Sequence, residues 1–179
     1  MAGISAAVDR FDAWAEVRVA KIRGPVLDPV FYAASFVGDH GAIWVFFAVI
    51  RYFTGIGGAE QAHFAGIRSV CSEAGQAIFV NGGVKSLFKR SRPVPQFERP
   101  FHLRIPRTTS FPSGHATAAM VGSVLLNQGT GWGWFLFPLA AVVAFSRVYV
   151  RIHHVSDVIG GVVVGLIVAF AIAHFVPLP

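Results

Sequence analysis

Apolar segments alternate with short polar breaks along most of this chain. The first 24 residues differ, because charged residues fill much of the space between apolar positions three or four apart. That spacing predicts an amphipathic helix over Ile4–Ile22, lying in a membrane interface rather than crossing the bilayer. The next segment, Pro29–Phe53, is apolar except at residues 38–41. It is either a short interfacial helix followed by a span from about Gly41, or one tilted span with a polar kink.

Four further apolar segments approach the roughly 20 residues that a bilayer-spanning helix needs. They are predicted at about Ala62–Phe88, Pro112–Asn127, Trp132–Val150 and Val155–Phe175. Together with the span near Gly41, they predict an all-α fold, a polytopic membrane bundle of about five transmembrane helices plus the N-terminal interfacial helix. We expect one domain over residues 1–179.

Two of these spans carry further patterns. Glu73, Asn81, Lys85 and Lys89 recur at multiples of four, which predicts a polar helical face, although Glu73 could instead pair with Arg68. In the last span, a G-x3-G pair at residues 161 and 165 allows another helix to approach closely. That helix could belong to this chain or to a second copy, so a homodimer stays open.

Composition favours a membrane protein over a soluble one. Hydrophobic residues make up 54% of the chain and charged residues 13%, against about 25% charged in ordinary soluble domains. Nine of the fifteen basic residues fall between Lys85 and Arg151, so the net charge of +6 is concentrated near the motifs described next. This distribution favours an anionic headgroup as the partner and argues against nucleic acid. One cysteine excludes an internal disulfide, and no metal-binding spacing is present.

Three polar stretches lie at the ends of predicted spans. They are K-S-L-F-K-R-S-R-P (Lys85–Pro93), F-P-S-G-H (Phe111–His115) and S-R-V-Y-V-R-I-H-H-V-S-D (Ser146–Asp157). Counting five spans puts all three on one side of the membrane. In the third stretch, Asp157 follows His153 by four residues, close enough to orient the imidazole.

The order K-x6-R-P, P-S-G-H and S-R-x5-H-x3-D resembles the signature of the type 2 phosphatidic acid phosphatase (PAP2) superfamily. All three parts are intact and span residues 85–157. The resemblance implies a hydrolase in which His153 attacks phosphorus and forms a phosphohistidine, Asp157 orients it, and His115 protonates the leaving oxygen. It implies a phosphate-binding set made of Lys85, Arg92, Ser113, Gly114 and Arg147, with no metal and no cofactor. Lys89, Arg90 and Arg151 fall outside the signature and are predicted to contact headgroups or the interface.

The resemblance implies a lipid phosphate as substrate and membrane lipids as surroundings. A small chain of this kind looks like the undecaprenyl-diphosphate phosphatases that recycle the lipid carrier of cell-wall biogenesis. Phosphatidylglycerophosphate, phosphatidate and other polyprenyl phosphates are alternative substrates, because the motifs recognise the phosphate and not the tail. A vanadium haloperoxidase is disfavoured, since those enzymes are larger and soluble. The intact histidines argue against a non-catalytic scaffold.

We expect a multi-pass protein of the cytoplasmic membrane. The carrier-lipid resemblance favours an extracytoplasmic active site, whereas the basic residues near the amino terminus favour the opposite side under the positive-inside rule. Many of the remaining basic residues have a catalytic reason to exist, so the extracytoplasmic side is preferred. The loop Lys89–Ser110 is predicted to close over the site or to meet headgroups.

Overall fold

The computed structural model of this chain describes residues 2–93, 101, 103, 105–106 and 108–179. Within them the secondary structure is all-helical, with no strand, as the sequence predicts. Seven α-helices follow one another: α1 (Ala2–Lys21), α2 (Leu27–Val37), α3 (Ala42–Thr54), α4 (Ala59–Ile78), α5 (Gly114–Asn127), α6 (Gly133–Tyr149) and α7 (Val155–Phe175). The last three agree closely with the predicted spans. The centre of the predicted loop Lys89–Ser110 lies outside the described residues.

Helix α5 lies at the centre of the bundle, in contact with α3, α4, α6 and α7. A Cβ added at Gly161 would lie 2.5 Å from the Ser113 carbonyl oxygen, and one at Gly165 would lie 2.7 Å from that of Thr117. The G-x3-G face of α7 therefore packs on α5 inside the molecule, and it no longer argues for a homodimer. The Ser113 amide also donates to the Asp157 carbonyl oxygen at 2.9 Å, which joins the starts of the two helices.

Helices α2 and α3 meet at an angle of 57° across a short 3-10 turn, Asp39–Gly41. Gly41 has φ +72°, and a Cβ there would lie 2.9 Å from a carboxylate oxygen of Glu73. The left-handed backbone conformation therefore favours glycine at this position, where the Glu73 side chain of α4 comes close. The bend separates α2 from α3 as distinct helices and turns Asp39 towards α5.

Helix α4 ends about ten residues before the predicted limit of its span. It continues into a π-helical turn, Phe79–Gly83, and a 3-10 turn, Val84–Leu87. A wider turn changes the angular phase of the residues that follow it. Glu73 and Lys85 are buried but Asn81 is exposed, so the prediction of one continuous polar face is wrong.

The N-terminal segment forms a helix, α1, and its amphipathic character stays a prediction. It buries Asp12, Ala15 and Val19 against the bundle and exposes Phe11 and Trp14. Its location in a membrane interface stays a prediction.

Among the described helices, α7 alone is long and apolar enough to cross a membrane by itself. Helices α2 and α3 meet the same criterion as a bent pair, and α6 is apolar but has 17 residues. The number of membrane-crossing helices therefore stays a prediction.

Candidate active site

His153 and Asp157 face each other across the start of α7. The chain leaves α6 at Tyr149, turns through residues 150–154 and enters α7 at Val155. His153 Nδ1 lies 3.5 Å from Asp157 Oδ2, and both side chains are buried. The second imidazole nitrogen, Nε2, lies 3.0 Å from Arg92 Nη1. The carboxylate is thus behind the ring, and Nε2 faces positive charge.

The Asp157 carboxylate is held by several donors. Oδ2 accepts a hydrogen bond from the His154 amide at 2.9 Å, within the first turn of α7, and another from the Ser110 hydroxyl. Oδ1 accepts one from Arg90 Nη1 at 2.7 Å. These contacts restrict rotation of the carboxylate, so its orientation towards His153 is fixed by the surrounding structure.

The environment of His153 keeps its imidazole neutral. Burial, aided by the positive charges of Arg92 and Arg147, lowers the pKa of His153 to about 3, although the contact with Asp157 opposes this shift. At neutral pH the ring therefore carries one proton and one free lone pair. That is the form in which a histidine can act as a nucleophile.

Three cationic side chains converge beside this pair. Lys85 Nζ and Arg92 Nη2 both donate to the Thr108 hydroxyl, at 3.2 and 3.3 Å. Arg147 is buried, and its positive charge acts on both Lys85 and His153. The cluster can hold an anion with several negatively charged oxygens.

The start of α5 faces the same cluster. Ser113 is the N-cap residue, and its buried hydroxyl has no hydrogen-bond partner among the described residues. A Cβ added at Gly114 would lie 3.9 Å from Lys85 Nζ. A helix N-terminus beside a hydroxyl without a partner favours an anion.

His115, on the first turn of α5, has acceptors contributed by α2 and by the turn after it. Its Nε2 lies 3.0 Å from Asp39 Oδ1 and 3.2 Å from the Ser35 carbonyl oxygen. Arg147 Nη1 lies 4.0 Å from the same Asp39 oxygen and donates to the Ser35 hydroxyl. The second histidine is therefore coupled to the cation cluster through α2 and the Asp39–Gly41 turn.

The eight predicted site residues thus lie at one end of the bundle. No motif includes Ser35, Asp39, Thr108 or Ser110. Asp39 lies in the polar break at residues 38–41, Thr108 and Ser110 lie close to the P-S-G-H motif, and Ser35 has no such signal. Arg90, predicted to contact headgroups or the interface, donates to Asp157 Oδ1 at 2.7 Å, a contact that the sequence did not predict.

The arrangement has the parts that phosphoryl transfer requires. A neutral imidazole backed by a carboxylate lies next to fixed positive charge, and a second histidine lies nearby. Transition states of phosphoryl transfer are stabilised mainly by positioning and by positive charge around the phosphoryl oxygens. The all-helical fold and this site together define a helical phosphatase, which is the class that the motifs predicted.

The model of the PAP2 superfamily matches residues 67–178, and the chain belongs to this superfamily. The resemblance found in the sequence is confirmed.

Several curated proteins are similar to part of the chain. An undecaprenyl-diphosphatase of Sulfolobus acidocaldarius is 39% identical over 98 residues, covering 52% of this chain and 47% of that protein. The undecaprenyl-diphosphatase BcrC of Bacillus subtilis is 35% identical, covering 46% of this chain and 45% of that protein. A decaprenylphosphoryl-5-phosphoribose phosphatase of Mycobacterium tuberculosis is 34% identical, covering 51% and 53%. The chain spans about half the length of the curated relatives it matches.

One solved structure shares the fold over nearly the whole chain. It is a transmembrane PAP2-type phosphatidylglycerolphosphate phosphatase from Bacillus subtilis, with a TM-score of 0.71 and 24% identity. The alignment covers 94% of this chain and 86% of that one.

Proposed function

We propose that the protein is a membrane lipid phosphatase that hydrolyses a polyprenyl diphosphate, with undecaprenyl diphosphate as the leading candidate. The observation that carries the proposal is the convergence of the His153–Asp157 pair, the three cations and His115 at one end of the bundle. The similarity to two proteins named undecaprenyl-diphosphatase supports the choice of lipid.

In the first step, His153 Nε2 attacks the terminal phosphorus in line, and the bond from phosphorus to the leaving oxygen breaks. A phosphoryl group held by Arg92 would be adjacent to the nucleophile, because Arg92 Nη1 lies 3.0 Å from Nε2. Asp157 stabilises the positive charge that the imidazole acquires. Lys85 and Arg147 share the negative charge of the phosphoryl oxygens.

His115, which enters this step protonated, donates its additional proton to the leaving oxygen and becomes neutral, and Asp39 orients the ring for this transfer. In the second step His115 accepts a proton from water, and the resulting hydroxide attacks the phosphohistidine. Inorganic phosphate leaves, and His153 returns to its neutral form. Lysine and arginine supply the positive charge, so the proposal includes no metal and no cofactor.

An apolar groove favours a lipid over a soluble ester. A cavity of about 650 Å³ lies between α2 and α3 and is lined by Tyr32, Phe36, Ile43 and Phe46, among others. Asp39 also lines it, and the same carboxylate contacts His115. A lipid chain in this groove would bring its leaving oxygen towards the proposed general acid.

We propose that α3 to α7 cross the cytoplasmic membrane, so that the helix ends carrying the site share one side. The extracytoplasmic side is preferred, because the resemblance to carrier-lipid phosphatases favours it. Helix α1 would lie along the interface, with the exposed Phe11 and Trp14 towards lipid.

The test is release of phosphate by the purified protein in detergent, with a chelator present. The panel contains undecaprenyl diphosphate, phosphatidylglycerophosphate, phosphatidate and a polyprenylphosphoryl pentose phosphate. His153→Ala should abolish turnover, whereas the matched neighbour His154→Ala should retain it. Preference for another lipid would correct the substrate, and folded protein without turnover on any of them would refute the proposal.

A further inference from the structure

The Arg90 guanidinium bridges two carboxylates that belong to different helices. Its Nη1 lies 2.7 Å from Asp157 Oδ1, and its Nη2 lies 2.6 Å from Asp12 Oδ2. Asp157 is the partner of the proposed nucleophile, and Asp12 lies in the middle of α1. The bridge therefore connects the N-terminal helix to the catalytic pair.

Asp12 is also bonded directly to the start of α7. It is 4% exposed, and its two oxygens accept the Ser156 amide at 2.9 Å and the Ser156 hydroxyl at 2.6 Å. Arg90 Nη1 reaches the same hydroxyl at 2.5 Å. The result is a closed network that joins α1, the segment after residue 87 and the first turn of α7. Charge-assisted bonds of this kind are about twice as strong as neutral ones.

The network acts on the orientation of one carboxylate. Arg90 holds Oδ1 of Asp157, and Oδ2 is then left facing His153 Nδ1. Arg90 also forms an ion pair with Asp12, so its positive charge is balanced by two carboxylates and not by Asp157 alone. Without Asp12, Arg90 would lose one of its two short ion pairs, and its hold on Oδ1 of Asp157 would weaken while the His154 amide and the Ser110 hydroxyl still held Oδ2.

We propose that Asp12 and Arg90 are positioning residues that orient Asp157 towards His153, so that full activity requires α1 to be docked on the bundle. Neither residue contacts the reacting atoms. The activity prediction rests on the proposed phosphatase function, whereas the orientation of the pair can be measured without substrate.

The chain offers a matched control in the same helix. Asp9 is three residues from Asp12, its side chain is 68% exposed, and it lies 3.8 Å from Arg90. Asp12→Asn should lower kcat about tenfold or more, since small misplacement of a catalytic group has large effects on rate. KM should change less than twofold. Asp9→Asn should leave both values within twofold of the wild type.

Arg90→Lys provides a second variant that keeps the positive charge. A single ammonium cannot reproduce the two-armed bridge, so kcat should fall to an intermediate value, above that of Arg90→Gln. The double variant Asp12→Asn with Arg90→Gln should be no slower than Arg90→Gln alone, because both changes break one network.

A direct readout comes from the imidazole resonances of His153 in protein labelled with ¹⁵N-histidine, assigned by their loss in His153→Gln. Asp12→Asn should shift them and Asp9→Asn should not. The proposal is overturned if Asp12→Asn matches Asp9→Asn in kcat and in these resonances. If Asp12→Asn does not fold, the proposal is overturned when Arg90→Lys matches the wild type in both measurements. Wild-type protein without phosphatase activity would refute the proposed function, and the resonances would still decide the network.

Discussion

The close contact between α5 and α7 makes Gly161 a sensitive position. In Gly161→Ala the new Cβ would lie 2.5 Å from the Ser113 carbonyl oxygen and 2.9 Å from the Ala116 Cβ. Contacts of this kind below 3.0 Å essentially do not occur, and 3.4 Å is ordinary, so the helices must separate by about 0.5–0.9 Å. The first obstacle is backbone, which cannot rotate away as a side chain can.

Two consequences are expected. Overpacking of this size costs about 1–3 kcal/mol of unfolding free energy, which corresponds to a Tm lowered by several degrees in a chain of this length. The separation also shifts Asp157, one turn before Gly161, relative to Ser113. Because displacement by about 1 Å can cost about 100-fold in rate, we expect kcat to fall at least tenfold.

The assay is thermal unfolding in detergent together with phosphate release. Gly75→Ala is the control, since no atom lies within 4 Å of its new Cβ, and alanine should stabilise α4 by up to about 1 kcal/mol. Gly165→Ala meets the Thr117 carbonyl oxygen at 2.7 Å, but one turn farther from the site, so it should lower Tm with a smaller loss of rate. A Gly161→Ala protein with unchanged Tm and kcat would refute the packing argument.

Three further outcomes are expected. Asp39→Asn should lower kcat on the preferred lipid about 10- to 100-fold, because His115 loses its orienting carboxylate. Its Tm should change little. An unchanged kcat would show that Asp39 has no role in the mechanism. Phe46→Asp should raise KM for the long-chain lipid but not for a short-chain phosphate, and equal effects on both would contradict a lipid-binding groove. The pKa of His153 is about 3 in the folded protein and about 6.5 in the unfolded chain. Below pH 6.5 the unfolded chain therefore binds a proton that the folded protein does not. As the pH falls, the free energy of unfolding should decrease by up to about 1.4 kcal/mol per pH unit. His153→Gln should lack this pH-dependent loss of stability. Parallel curves of Tm against pH for the wild type and His153→Gln, from pH 7 to pH 5, would contradict the burial of His153.

The sequence predicted the helices best where their limits coincide with strong local signals. Helix α7 begins just after His153-His154 and runs through an unbroken apolar segment, so its predicted and observed limits agree. Helix α4 was less predictable. Its apolar pattern continues beyond Ile78, but the π-helical turn that follows contains Asn81-Gly82-Gly83, a helix-breaking signal that the apolar pattern masked.

The all-helical class, the superfamily and the eight candidate site residues could be predicted from the chain alone, because motif spacing and apolar periodicity are local properties. Which more distant side chains surround the site became visible in the folded structure. Asp12 and Asp39 lie outside every motif, yet one is bonded to Arg90 and the other contacts His115. Such pairs form between residues about 75 or more positions apart, and they depend on how helices dock, which no local pattern encodes.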